Sequence, residues 1–99
     1  MDVPGYEPQI VISDDTSRQR FEQEEDGKLV FASYRMRDDA HALVHVEADP
    51  ALRGTGAADR FMTALVAHGR QQGIRFAPYC SYARAWFRRH PEASDVLAN

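Results

Sequence analysis

Between His41 and Pro78 the hydrophobic period of the chain changes twice, and no other feature constrains the fold as much. "HALVHVEA", residues 41–48, alternates at period two, with Ala42, Val44, Val46 and Ala48 on one face and His41, Leu43, His45 and Glu47 on the other. Pro50 ends that strand. From Ala57 to Gln72 the period becomes helical: Phe61, Met62, Leu65 and Val66 share a face opposite Arg60, Thr63, Ala67, Arg70 and Gln71, and Gly73 follows as a C-terminal cap. "IRFAP", residues 74–78, is apolar and too short for a helix, so it reads as a buried strand. A strand–helix–strand run of this length cannot close as a hairpin, and the crossover makes its two strands parallel.

The first half carries no helical period. "QIVIS", residues 9–13, reads as a short strand ended by Asp14-Asp15, after a Pro/Gly-punctuated lead-in over residues 1–9. Within "RQRFEQEEDGKLVFASYRM" the pair Asp26-Gly27 separates two extended segments and is a strong hairpin signal, and "RDDA", residues 37–40, makes a second turn. Residues 1–50 therefore read as an antiparallel meander of about four strands. After the crossover a second helix is predicted over 81–89, with Tyr82, Ala85, Trp86 and Phe87 inward and Pro91 stopping it. The order β-β-β-β-α-β-α predicts an α/β (α+β) fold: a mixed sheet with helices packed on it. Ninety-nine residues make one domain with a thin core.

Composition narrows the function classes. A 43% apolar fraction with 27% charged residues is that of a folded chain. No run approaches a membrane span and the first residues lack the pattern of an export signal, so a cytoplasmic protein is expected. Cys80 is the only cysteine, which excludes an internal disulfide and any multi-cysteine metal site. Charge is divided unevenly. Residues 1–50 hold twelve acids against five bases, a net −7, and residues 51–99 hold seven arginines against three acids, a net +4. A basic half without lysine or interleaved aromatics makes a poor nucleic-acid surface and a reasonable seat for a small polyanion, although a merely solvated face explains it equally.

Three places carry candidate chemistry. Gly54 and Gly56 lie where a strand turns into a helix N-terminus, where the backbone can approach a ligand closely and the helix dipole favours a phosphate. The spacing is neither a P-loop nor a dinucleotide fingerprint, and a tight turn alone would also use two glycines. Cys80 immediately precedes the second helix, where the dipole and Arg84 favour a thiolate; the alternative is a small buried hydrophobe. His45 shares a strand face with Glu47 about 7 Å further on, a suitable pair for taking a proton, and a packed structural histidine is the alternative. His41 lies about 13 Å from His45 on an extended strand, which argues against zinc, and no metal is expected. His68 and His90 read as helix-surface residues.

Arg53-x-x-Gly56-x-Ala58 resembles the R/Q-x-x-G-x-G/A pyrophosphate loop of the GCN5-related N-acetyltransferases, together with the preceding strand, the Asp49-Pro50 exit and the helix and parallel strand that follow. "HVEADPALRGTGAA", "PYCSY" and "HPEASDVL" resemble the small single-domain branch of that superfamily, so the likeness covers residues 41–97, and the first forty match in strand pattern only. Ala48 departs from the bulkier aliphatic residue usual in relatives. The resemblance implies an acetyl-CoA co-substrate, with its pyrophosphate on the amides of Arg53, Gly54, Thr55, Gly56, Ala57 and Ala58. Its pantetheine arm would run between the splayed ends of the two parallel strands, near Val46, Cys80 and Tyr82. The implied activity is acetyl transfer to a small-molecule or protein amine by direct attack. His45 or Glu47 would be the base, and an acetyl-Cys80 intermediate is the variant. The rival is a non-catalytic module that keeps the cleft for sensing acyl-CoA or binding a protein. Neither the acceptor nor the oligomeric state is legible.

Overall fold

Asp26 and Gly27 both take left-handed φ values, 52° and 73°, the geometry a two-residue hairpin loop needs to match the twist of its flanking strands. They join β2 (Arg20–Glu25) to β3 (Lys28–Arg37) in a computed structural model that describes residues 11–98. Asp38, at φ 57°, turns β3 into β4 (Ala40–Ala48). A short strand β1 (Ser13–Asp15) flanks β2. It begins later than the sequence predicts: Asp14 and Asp15 are inside it, paired with Phe21 and Arg20, while Val11 and Ile12 precede it. The lead-in over residues 1–9 and the first residues of "QIVIS" lie outside the described residues.

A turn of 3₁₀ helix over Pro50–Leu52 leads to α1 (Ala57–Gln72), then β5 (Arg75–Pro78), α2 (Ser81–Arg89) and a second 3₁₀ segment over Pro91–Val96. The sheet order is β1-β2-β3-β4-β5, antiparallel through β4, with β4 and β5 parallel as the crossover requires. α1 ends at Gly73, which takes φ 70° and donates its N–H to the Gly69 carbonyl. Pro91 stops α2 as predicted, but the chain continues helically in a tighter 3₁₀ form.

One face of the sheet is covered. Phe21, Val30, Ala32, Tyr34, Leu43 and Phe76 lie on it with Phe61, Met62, Leu65 and Val66 of α1, all at 3% exposure or less. Phe76 lies so near Gly69 that a Cβ there would sit 2.5 Å from its ring, so this helix position accepts only glycine at the observed spacing. α2 adds Ala83, Trp86 and Phe87; Tyr82 and Ala85, predicted inward, are half-buried, and Ala83 takes the deeper position. The Trp86 indole N–H donates to Asp59 in the first turn of α1 at 2.7 Å, tying the two helices together on the same side of the sheet.

The opposite face carries no helix among the described residues. Alternation and register place Arg20, Phe31, Ser33, Arg37, His45, Glu47 and Tyr79 there. The strict alternation predicted for residues 41–48 breaks at Val44. Tyr34 pairs with Leu43 and Ser33 with His45, so Val44 is the extra residue of a β-bulge. Before it His41 and Leu43 point to the core; after it Val46 and Ala48 do, and His45 and Glu47 turn to the bare face. Leu43, predicted to share a face with His45, is fully buried while His45 is exposed.

Candidate functional site

The parallel pairing of β4 with β5 runs from Ala40↔Arg75 to Leu43↔Pro78 and stops. There the Leu43 carbonyl accepts two N–H groups, from Tyr79 at 2.9 Å and Cys80 at 3.0 Å, which turns the chain into α2. β4 continues for five residues, bulged at Val44, without a partner on that side among the described residues. The two strands therefore part at Leu43, and β4 runs on from there toward the loop that opens α1.

That loop is built to leave amides free. Asp49 caps the 3₁₀ turn through Ala51 N–H at 2.9 Å, and the Arg53 and Thr55 amides close on the Pro50 and Leu52 carbonyls. Gly54 and Gly56 take φ 78° and 84°, a left-handed conformation that costs other residues free energy. Gly56 is the N-cap of α1 and offers no side chain, so the amides of Gly54, Gly56, Ala57 and Ala58 have no acceptor among the described residues. Four donors at the positive end of a 16-residue helix fit a phosphate. Of the six amides that the resemblance implies, those of Arg53 and Thr55 also close the turn.

Arg60 braces the loop. It donates to the Thr55 carbonyl at 2.8 Å and grips Glu25, at the end of the first hairpin, through two nitrogens. The pairing holds the Glu25 carboxyl below the usual carboxylate range. Sequence reasoning placed Arg60 on a solvent face and gave Glu25 no role; their contact spans 35 residues, and no local pattern announces it.

Cys80 is the N-cap of α2, half-buried, its Sγ accepting the Ala83 N–H at 3.4 Å. Cys80, Tyr82 and Val46 all pack against the core on the helix-covered side. Burial, then the Asp59 carboxylate, pushes the Tyr82 hydroxyl above its ordinary pKa, against a smaller opposing effect of Arg89. His90, expected on a helix surface, stacks on Trp86 at 3.9 Å with its Nδ1–H donating to the Trp86 carbonyl at 2.8 Å. His68 likewise meets the edge of Phe21 at 5.9 Å.

His45 and Glu47 are in contact, Nε2 to Oε1 at 2.8 Å, on the bare face with both side chains more than half exposed. Phe31 lies beside His45 and carries the Arg20 guanidinium 4.5 Å above its ring. The bulge thus sorts the candidates. The four amides, Val46, Cys80 and Tyr82 gather near the helix side of the cleft, and His45 and Glu47 stand on the other side. His41 is not with them: it sits between Tyr34 and Phe21, at 4.7 and 5.3 Å. Among the described residues no three His, Cys, Asp or Glu side chains group as metal ligands, and no helix is long and apolar enough to cross a membrane.

The fold recurs in a solved structure. A GCN5-like protein from Staphylococcus aureus, solved by NMR in solution, superposes with a TM-score of 0.58 over 90% of this chain and 88% of that one, at 19% identity. No curated protein matches the sequence. The family model described as GCN5-related N-acetyl-transferase matches residues 20–96, which takes in the hairpin, the parted strands, the phosphate-type loop and α2. By that match over most of its length, the chain belongs to the GCN5-related N-acetyltransferase family.

Proposed function

We propose that the protein binds acetyl-CoA in the cleft between β4 and β5 and transfers its acetyl group to an amine. The observation that carries the reading is the sorting just described: unsatisfied amides at a helix N-terminus on one side of the parted strands, and an exposed histidine–carboxylate pair on the other. The bound thioester supplies an activated acetyl carbonyl. The amides of Gly54, Gly56, Ala57 and Ala58 hold the pyrophosphate, and Val46, Cys80 and Tyr82 line the arm. His45, with Glu47 bonded to it, takes the proton of the incoming ammonium and passes it to solvent. As the free amine forms its C–N bond to the acetyl carbon, the C–S bond breaks and CoA leaves as its thiolate.

Direct attack is favoured over an acetyl-cysteine because the exposed His45–Glu47 pair offers a base to the incoming amine without a covalent step. The test is CoA release from acetyl-CoA against a panel of amines, beside calorimetry of CoA binding and intact-protein mass spectrometry. Steady release with at least one amine and no hydroxylamine-sensitive adduct supports the reading. Binding without turnover of any amine replaces it with the acyl-CoA-sensing module.

A further inference from the structure

A recess of about 330 Å³ lies on the bare face of the sheet, at the end of the β4–β5 pair away from the loop that opens α1. Its floor is Ala40 and Ala77 and one wall is Leu97. Two guanidiniums reach it that form no salt bridge among the described residues: Arg37 lies over the Tyr79 ring at 5.4 Å, and Arg75 donates to the main-chain carbonyl of Asp95 at 3.0 Å. Tyr79 is 47% exposed. Its backbone N–H is one of the two on the Leu43 carbonyl, so this residue joins the recess to the point where the strands part. Asp38 and Asp39 stand on the rim.

We propose that this recess holds the carboxylate of the acetyl acceptor, so that the substrate is an amine carrying a carboxylate at its far end. The inference rests on the transfer reading of the cleft and adds the substrate class. Two arginine forks above small floor residues suit a planar carboxylate, which arginine binds through paired N–H groups. The rim acids repel a doubly charged phosphate more strongly than a singly charged carboxylate. Tyr79 supplies an aromatic surface for the aliphatic part of the chain. From Ala40 to Leu43 is three strand residues, about 10 Å, so the carboxylate and the reacting nitrogen are separated by a chain of roughly that length.

Matched pairs of acceptors test this, with 8-aminooctanoate set against 8-aminooctanamide and 8-aminooctyl phosphate. The expected result is a KM for the carboxylate lower by about five-fold or more than for the amide at similar kcat. Arg37→Gln and Arg75→Gln should each reduce that preference, and the double variant should erase it without changing the rate with the amide. Equal KM values for the pair, a preference that survives the double variant, or a phosphate taken ahead of the carboxylate would each overturn the proposal while leaving the transfer reading intact. A titration of the ¹⁵N-labelled chain with 8-aminooctanoate, without acetyl-CoA, separates the two ideas. Shifts confined to the amides of Ala40, Ala77 and Tyr79 support the site even where no amine is acetylated. No shifts, or shifts elsewhere, overturn it.

Discussion

Gly56 is the residue on which the cradle depends most directly. It combines a left-handed φ of 84° with an Arg60 nitrogen 3.1 Å from where a Cβ would be. Gly56→Val would strain the backbone by about 1–3 kcal/mol and push Arg60 off the loop, moving the helix amides out of convergence. A folded protein, by circular dichroism, with CoA affinity reduced several-fold or more by calorimetry is expected; unchanged affinity would remove the loop from the binding site. His41 makes a prediction of a different kind. Its Nδ1 is buried without a partner among the described residues, and burial lowers its pKa, with a smaller opposing effect from Asp14 and a further lowering by His68. The unfolded imidazole titrates near 6.5, so as pH falls below that value the unfolded state takes up a proton that the native state resists. Stability therefore falls from about pH 6.5 down to the depressed native pKa, by at most about 1.4 kcal/mol per pH unit, and levels off below it. Urea melts at pH 7.5, 6.5 and 5.5 should show that slope in the wild type and a shallower one in His41→Phe.

Among the elements, α1 seats on the sheet through a gap the size of one hydrogen. Gly69→Ala sets a methyl carbon against the Phe76 ring and should cost about 1–3 kcal/mol, although alanine is the better helix former. A thermal melt that rises would mean the helix can slide without penalty. The helices were legible because their signals are local. The bounds Ala57–Gln72 and Ser81–Arg89 follow from period, Gly73 and Pro91, and the β2–β3 hairpin follows from Asp26-Gly27. The site was legible in part. Gly54, Gly56 and Cys80 sit at helix starts, where position alone gives them meaning. The bulge at Val44 has no residue signature, since alternation in "HALVHVEA" looks unbroken, and so the separation of His45 from Leu43 was hidden. Glu25–Arg60 and Asp59–Trp86 join residues 35 and 27 apart, and pairings of that range are set by topology.

At the scale of the whole molecule, the groups proposed to hold the cofactor and the pair proposed to take the proton occupy opposite sides of one sheet, so the two functions should separate under mutation. His45→Ala or Glu47→Ala is expected to leave CoA affinity unchanged and to lower kcat/KM by on the order of 10²-fold, flattening the limb of the profile that rises with pH. Wild-type rates in both variants and in the double variant, with a verified acceptor, would move the proton's route elsewhere. The Glu25–Arg60 contact has a kinetic consequence as well. The cradle's brace comes from a hairpin that leaves the ribosome well before α1, yet it engages only when α1 has docked on the sheet. If the loop holds CoA as proposed, binding competence requires this long-range contact to have closed. In a refolding experiment, recovery of CoA binding should trail the recovery of helical signal, and Glu25→Gln should lengthen that lag.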